Sequence, residues 1–297
     1  MKFLVFRNPS AQNRPYMNYR IGAMLDDETI ADLTPSVLPL GFTADEVLRC
    51  YDLDTEFLKF ASEAVAGGQL PIVNRDDVTL EAPVPRPSKI ICIGLNYLDH
   101  VKESGAEIPK SPLIFSKFNT CVTASETSIL LPVGSEQVDF EAELAVVIGR
   151  RAKNVDLANA MDHVFGYTNF NDVSARDMQF ADGQWQRGKS CDTFAPFGEF
   201  VATKDEIADP HSLRIQFRLN GDTMQDSNTN QLIFKIPELV EYLSRSITLE
   251  PGDVIATGTP PGVGFARKPP VFLKNGDVCE VEVEGLGILI NSVVKNV

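Results

Sequence analysis

The chain has 297 residues and a formal net charge of −14, with 43% hydrophobic and 23% charged residues. This composition is typical of a globular protein and excludes a disordered or collagen-like chain. The acidic balance disfavours nucleic acids and anionic membrane surfaces as partners, since both usually require a basic face. Twenty glycines and 19 prolines predict many turns and argue against a helical bundle.

The cysteines and the apolar segments indicate the compartment. Five cysteines, at positions 50, 92, 121, 191 and 279, are scattered and form no CxxC pair; this pattern is typical of a reducing environment. The first ten residues contain only four consecutive apolar residues, too few for a signal peptide. No apolar run reaches the roughly 18 residues that a spanning helix needs. We expect a soluble cytoplasmic protein, or a mitochondrial one if a presequence has been removed.

The first 80 residues predict a small α+β domain. A strand is expected at Lys2–Arg7, and a hairpin around Tyr19–Asp32 with two aspartates, 26 and 27, in its turn. A helix is expected from Ala44 to Ala66, ending at the glycine pair 67–68. The proline-rich segment 81–88 is the predicted boundary between a domain at residues 1–80 and a second at 81–297.

The second domain is predicted to consist mainly of strands. After an apolar strand at 89–94, a short helix is expected from Asn96 to Ser104, with Asn96 as its cap and Gly105 at its end. Because repeated βαβ units are absent, we predict a mostly β, α+β fold, and not a Rossmann or TIM architecture. The remaining predicted elements are strands at 113–117, 141–148, 213–219, 253–257, 280–284 and 288–294, helices at 157–163 and 237–245, and turns at 220–221 and 275–276.

The segment from Asp139 to Leu144 is the first that can carry chemistry. In a strand, Asp139, Glu141 and Glu143 share one face, and the apolar residues between them share the other. Burying neighbouring carboxylates costs several kcal/mol unless a cation compensates, and a hard divalent cation suits oxygen ligands. The alternative is a solvated outer face, as expected for the segment 280–284, which has the same alternation.

Two further segments supply titratable side chains. Asp172 can add a third carboxylate, or it can belong to a polar turn that caps a helix. His100 and Glu103 stand three positions apart on a predicted helix, so the carboxylate can accept a hydrogen bond from the imidazole. Such a bond raises the basicity of the imidazole and fixes its tautomer. The alternative for this pair is a salt bridge on a surface helix.

A lysine and a glycine-rich turn are candidates for contacts with an anionic ligand. Lys189 follows a glycine and can approach such a ligand closely, although most lysines in loops are simply exposed. The turn around Gly258 and Thr259 exposes backbone N–H groups that can hold an oxyanion, or it is a plain tight turn. The turn lacks the GKS/T signature of a phosphate-binding loop.

Taken together, these segments resemble the fumarylacetoacetate hydrolase family, over roughly residues 85–297. The similarity is closest to its subgroup of fumarylacetoacetate hydrolase domain-containing protein 2, through the stretches 227–231 and 267–273 and the small N-terminal domain. The family motifs occur here in the same order, as Gly94-Leu-Asn-Tyr97 with His100 and Glu103, then Asp139-x-Glu-x-Glu-Leu144, Asp172-Val-Ser-Ala-Arg-Asp177, Gly188-Lys-Ser190 and Thr257-Gly-Thr-Pro-Pro-Gly262.

The resemblance implies a β-roll catalytic domain, a homodimer, and a divalent cation, Mg²⁺ or Mn²⁺. It also implies roles for the candidate residues. They are Glu141, Glu143 and Asp172 as metal ligands, His100 and Glu103 as a catalytic His–Glu dyad that acts as the base and is carried on a mobile lid, Lys189 as a catalytic lysine beside the metal, and Gln179, Gly258 and Thr259 as substrate contacts.

The expected substrate is a short 2-oxo carboxylic acid that reacts through a metal-stabilised enolate. The primary prediction is C–C bond hydrolysis of an acylpyruvate, or decarboxylation of oxaloacetate. Keto–enol tautomerisation of oxaloacetate is the alternative. A second alternative is a non-catalytic, metal-stabilised module that binds a 2-oxo acid, which the presence of His100 and Glu103 disfavours.

Overall fold

A computed structural model describes residues 1–8, 19–37, 55–181 and 183–295. Its strands, numbered β1 to β20 in chain order, are Lys2–Arg7, Arg20–Met24, Thr29–Asp32, Ile72–Asn74, Thr79–Glu81, Ile90–Gly94, Leu113–Lys117, Val122–Thr123, Ser128–Leu131, Val138–Asp139, Ala142–Ile148, Val164–Asn171, Ser174–Ala175, Ala195–Pro196, Val201–Thr203, Arg214–Leu219, Asp222–Asn228, Val254–Ala256, Val278–Val283 and Ile288–Lys295. The α-helices, α1 to α6, are Thr34–Val37, Thr55–Ala66, Leu98–Ser104, Arg176–Ala181, Gln186–Lys189 and Ile236–Ser246. Short 3₁₀ helices span Arg75–Asp77, Asn119–Cys121, Leu157–His163, Thr229–Gln231 and Gly264–Ala266.

The largest sheet has the strand order β4-β3-β2-β1-β15-β12-β11-β18-β6-β7, with β5 also paired to β1. Its central strands β11 and β12 are antiparallel and buried along their whole length. Both faces of these strands are therefore covered by protein. This arrangement determines the surroundings of any polar side chain that they carry.

A second sheet, in the order β17-β16-β19-β20-β9, packs against β11 and β12. Phe140 stacks on Phe217 of β16 with 4.1 Å between ring centroids. Asn169 of β12 donates to the carbonyls of Leu286 and Gly287, at 3.0 and 2.9 Å, in the turn between β19 and β20. The predicted fold class, α+β and mostly β, is confirmed.

The strands at the N-terminus share the large sheet with the rest of the chain. β1 pairs with β2 and β5 on one side of the predicted boundary, and also with β15 on the other. The division into domains at residues 1–80 and 81–297 stays a prediction. Among the described residues, no helix is long and apolar enough to cross a bilayer.

Most predicted elements are found with small shifts of their ends. The first strand and the hairpin are confirmed, and the described part of the predicted helix at 44–66 is α2; its residues 44–54 lie outside the described ranges. The segment 157–163 is helical as predicted, but of the 3₁₀ type. Helices α4 and α5 and strands β12 and β17 were not predicted.

The predicted cap of helix α3 is wrong. This helix begins at Leu98, and Tyr97 takes the cap position without a side-chain hydrogen bond. The amide of Asn96 instead donates to the carbonyls of Phe234 and Thr257, at 3.1 and 2.8 Å. Distant backbone groups thus bind the side chain that would otherwise cap the helix. Gly105 does end α3, with a left-handed φ of 64°.

Candidate active site

Three carboxylates converge at the centre of the large sheet. Glu141 directly precedes β11, Glu143 lies within it, and Asp172 directly follows β12. One oxygen of each lies within 4.8 Å of the other two, and the exposed fractions of the three residues are only 7%, 1% and 0%. The pairing of the strands brings them together, since Asp172 N–H donates to the carbonyl of Glu141 at 2.9 Å. The alternative of a solvated face is therefore wrong for Glu141 and Glu143.

The segment with the same alternation in β19 behaves differently. Glu280 and Glu282 are half-buried, and both pair with Arg218 on the neighbouring strand; the latter pair is 2.7 Å apart. This is the solvated face that was predicted for residues 280–284. Alternation of glutamates with apolar residues therefore does not by itself predict a buried site.

Buried cations hold two of the three carboxylates. The ammonium of Lys189 in α5 donates to Glu141 at 2.8 Å and to Asp172 at 2.7 Å. Lys117, at the end of β7, donates to Asp172, and Arg176 of α4 donates to Glu141. Sequence reasoning assigned no role to Lys117 or Arg176. Arg176 lies inside a family motif, which is a signal for it, whereas nothing around Lys117 in the sequence marks it.

Glu143 has no cationic partner among the described residues. Its hydrogen bond to a protein donor comes from the N–H of Gly258, at 2.8 Å. Burial and the charges of Asp172 and Glu141 raise the pKa of Glu143 well above its usual value. Burial also acts on Glu141, but the opposing charges of Lys189 and Arg176 lower its pKa to about 2.

These groups fit a divalent cation. Counting all of them as ionised, four carboxylates carry −4 and three cations carry +3, which leaves an uncompensated negative charge beside Glu143. Clustered carboxylate oxygens are the ligands that Mg²⁺ and Mn²⁺ prefer. Glu141, Glu143 and Asp172 would hold the ion. The charged groups counted here are Asp139, Glu141, Glu143, Asp172, Lys117, Arg176 and Lys189.

His100 and Glu103 form the predicted pair on α3. Nδ1 of the imidazole lies 3.1 Å from Oε2 of Glu103. The same carboxylate accepts the N–H of Gly262 at 3.0 and 3.2 Å, which attaches the helix to the glycine-rich turn. With Nδ1 held by Glu103, Nε2 is the nitrogen left for proton transfer. The contact is confirmed, while the role as a base and the mobility of the lid stay predictions.

A cavity of about 490 Å³ joins the two groups. The carboxylates Glu141 and Glu143 line it together with His100 and Glu103 of α3. Gly258 is not among the residues that line the cavity, and its N–H donates to Glu143, so a substrate contact by this residue stays a prediction. The other lining residues include Arg176, Gln179, Lys189, Thr259 and Lys268, and the apolar Leu95, Phe115, Phe180, Trp185, Val263 and Phe265.

The two predicted substrate contacts that line the cavity already have protein partners. Gln179 is 3% exposed, and its Oε1 accepts from Arg176 at 3.0 Å. The hydroxyl of Thr259 donates to the carbonyl of Ala142 at 2.9 Å and accepts from Gln225 at 2.8 Å. Both side chains are thus fixed in the cavity wall, and their contact with a substrate remains a prediction.

The backbone conformation and close packing at Gly258 require a glycine, and a substitution tests this requirement. Its φ is 107°, and an added Cβ would stand 2.9 Å from Cβ of Asn96. We expect Gly258→Ala to lower the free energy of unfolding by about 2–4 kcal/mol, measured by urea denaturation. The matched control is Gly276→Ala, where φ is 93° but no atom lies within 4 Å of the added Cβ. Equal losses in both variants would contradict the packing argument at Gly258.

Comparison with known proteins agrees with this geometry. The family described as fumarylacetoacetate (FAA) hydrolase, C-terminal, matches residues 89–294, more than two thirds of the chain. The chain belongs to the fumarylacetoacetate hydrolase family. The family match covers the carboxylate cluster, the pair His100 and Glu103, and the glycine-rich turn. The predicted family is thereby confirmed.

Similar curated proteins belong to the predicted subgroup. The chain is 52% identical over 238 residues to the mitochondrial oxaloacetate tautomerase Fahd2a of Rattus norvegicus, which covers 80% of this chain and 76% of the relative. It is 49% identical over 287 residues to the fumarylacetoacetate hydrolase domain-containing protein 2 homolog of Dictyostelium discoideum, covering 92% of each chain. The subgroup predicted from the sequence is confirmed by these relatives.

A solved structure supports the family fold. The fumarylacetoacetate hydrolase of Exiguobacterium antarcticum is 34% identical, with a TM-score of 0.81 and complete coverage of both chains. The similarity extends over the N-terminal strands as well as the part that carries the site. The fumarylacetoacetate hydrolase fold predicted from the sequence is confirmed.

Proposed function

We propose that this chain is an oxaloacetate keto–enol tautomerase that uses Mg²⁺ or Mn²⁺. The observation that supports it best is that the hydrogen-bonded His100–Glu103 pair lines the same cavity as Glu141 and Glu143, two members of a carboxylate cluster that can hold a metal ion. Relatives that share about half of their residues with this chain carry the name oxaloacetate tautomerase. Among the expected reactions, the comparisons support the tautomerase alternative better than C–C hydrolysis or decarboxylation.

The chemistry follows from two groups of residues in the cavity, the carboxylate cluster and the pair His100 and Glu103. A divalent cation would polarise the 2-oxo group and favour the enolate form of the substrate. His100 Nε2 would remove one proton from C3, and the electron pair of that C–H bond would form the C2–C3 double bond. The imidazolium would then deliver its proton to the oxygen on C2, which gives the enol without any bond between heavy atoms being made or broken.

The other residues position these groups. Glu103 holds the imidazole at Nδ1 and stabilises the positive charge it acquires. Lys189 fixes Glu141 and Asp172, and Gly258 N–H fixes Glu143. Apolar side chains such as Phe115 and Trp185 line the cavity and reduce the access of water. Limited water favours return of the proton to the substrate over hydrolysis.

C–C hydrolysis is the second candidate, because solved structures of similar fold include a hydrolase. The maleylpyruvate hydrolase of Sphingobium sp. SYK-6 is 31% identical, with a TM-score of 0.79 over the whole of both chains. That reaction needs a 4-oxo substrate and a water molecule. The non-catalytic alternative is disfavoured, because His100 and Glu103 are in hydrogen-bond contact and both line the cavity.

The assay follows the enol absorbance of oxaloacetate in the ultraviolet, with purified protein plus Mg²⁺, with protein plus EDTA, and with Mg²⁺ alone. We expect interconversion well above the Mg²⁺ control, lost with EDTA. Pyruvate release would indicate decarboxylation, and acetate release from acetylpyruvate would indicate C–C hydrolysis. Oxaloacetate interconversion no faster than with Mg²⁺ alone would contradict the proposal.

Oligomeric state and location are also proposals. The predicted homodimer has support only from the family resemblance. The names of several relatives place those proteins in mitochondria, which favours the mitochondrial alternative for this chain over the cytoplasm.

A further inference from the structure

Lys268 differs from the other basic residues that line the cavity. It is exposed, and within the described ranges its ammonium makes no hydrogen bond or ion pair. Arg176 and Lys189, which also line the cavity, are buried and committed to carboxylates of the cluster. Lys268 is therefore a cation at the cavity wall that is free to bind an anion.

The neighbouring arginine cannot take this role. Arg267 donates from Nε to the carbonyl of Gly262 at 3.1 Å, and from Nη2 to the carbonyl of Met224. These bonds attach the residue before Lys268 to the glycine-rich turn and to strand β17. The backbone at Lys268 is thereby fixed relative to the cavity, although its side chain has no partner in the described part of the chain.

The charges of the site show why a second cation matters. With a divalent cation added, the net charge of the cluster changes from −1 to +1, which one carboxylate of a 2-oxo acid neutralises. A second carboxylate would then have no compensating charge in the cluster, and the carboxylate of Glu103 would repel it. The chain as a whole carries −14, which adds to this repulsion.

We propose that Lys268 binds the distal carboxylate of a four-carbon 2-oxo dicarboxylate and so selects dicarboxylates over monocarboxylic 2-oxo acids. This inference rests on the proposed function, because it concerns the same site and the same bound orientation. An acylpyruvate carries a neutral ketone in place of that carboxylate and gains nothing from Lys268. Lys268 is thus a specificity-determining residue and has no part in the proton transfer.

The kinetic test compares oxaloacetate with 2-oxobutanoate, which has a methyl group in place of the distal carboxylate. Enolisation of both is measured as deuterium uptake at C3 by NMR in D₂O. We expect Lys268→Met to lower kcat/KM for oxaloacetate by about 10–100-fold, mainly through KM, and to leave 2-oxobutanoate within about twofold. Lys268→Arg should restore most of the loss. An equal change for both substrates would overturn the proposal.

The control is Lys274→Met, which removes the same charge from an exposed lysine further along the chain that does not line the cavity. It should change kcat/KM for neither substrate by more than about twofold, because an exposed charge outside the cavity is screened by salt. If Lys274→Met reproduces the effect of Lys268→Met, the effect is one of general charge, and the proposal fails.

A binding experiment separates this inference from the proposed function. Calorimetry of the Mg²⁺-loaded protein compares malate with 2-hydroxybutanoate, an unreactive pair with the same difference at the distal end. We expect the wild type to prefer malate by about tenfold or more, and Lys268→Met to lose that preference. This result would support Lys268 even if the protein enolised neither 2-oxo acid. No preference for malate in the wild type would overturn the role of Lys268.

Discussion

Replacing His100 with asparagine should lower kcat/KM for oxaloacetate tautomerisation by about 10²–10⁴-fold, the range typical of the loss of a general base. Asparagine keeps a polar side chain on α3 but cannot accept and return a proton near neutral pH. Mg²⁺ affinity should stay within about twofold, because His100 is hydrogen-bonded to Glu103 and is not one of the three clustered carboxylates that would hold the ion. Stopped-flow enol absorbance and calorimetric Mg²⁺ titration measure the two quantities.

The control for this change is His163→Asn. His163 is the last residue of the 3₁₀ helix before β12. Its Nδ1 contacts the carbonyl of Arg150, and it does not line the cavity. Its substitution should leave turnover unchanged. Full activity of the His100 variant would exclude His100 as the base, and a parallel loss of Mg²⁺ affinity would indicate a structural role for it.

The second large effect is expected for Glu143→Gln, which should raise the stability of the metal-free protein and abolish its stabilisation by Mg²⁺. The carboxylate of Glu143 is buried next to two others, and none of the described residues forms an ion pair with it. A neutral amide can still accept the N–H of Gly258 and removes the repulsion. We expect a gain of about 1–2 kcal/mol, seen as a rise in Tm of about 2–6 °C in EDTA.

The stability gained by Glu143→Gln in the metal-free protein should increase as pH rises. Because folding raises the pKa of Glu143, the folded state retains a proton that the unfolded state releases, so ionisation of Glu143 destabilises the metal-free protein as pH rises above the usual glutamate value. The difference in Tm between variant and wild type should therefore widen from pH 4 towards neutrality. Glu141 acts oppositely, since its lowered pKa contributes stability that is lost as pH falls towards about 2.

Glu282→Gln is the matched control, since this residue has the same alternating context on the half-exposed face of β19. It removes an ion pair with Arg218, so stability should fall by less than about 1 kcal/mol, and Mg²⁺ should stabilise the variant as much as the wild type. A retained Mg²⁺ shift in the Glu143 variant would contradict the assignment of Glu143 as a ligand.

Local patterns predicted the parts of the site that local geometry determines. The spacing of His100 and Glu103 places the two side chains on one helix face, and their contact follows directly. The shared face of Glu141 and Glu143, at the start of β11, also follows from the strand period. The cluster as a whole requires β11 to pair with β12, a long-range contact that spacing alone does not determine.

The sequence predicted less where the structure depends on distant partners. The alternation in β11 matches that in β19, but Arg176 of α4, Lys189 of α5 and the turn at Gly258 cover the glutamates of the first segment, whereas those of β19 stay half-exposed. Lys117 lies at the end of an ordinary apolar strand, so its ion pair with Asp172 has no local signal. Asn96 was predicted as a cap because its long-range backbone partners were unknown.

The carboxylate of Glu103 has a consequence for the order of events in a turnover. It accepts a hydrogen bond from the backbone N–H of Gly262 and at the same time lies 3.1 Å from the imidazole of His100. Any movement that separates α3 from that turn also changes the hydrogen bonds that orient the imidazole. In the proposed mechanism, a movement of α3 that admits substrate would therefore also release the imidazole from the orientation in which it removes the C3 proton.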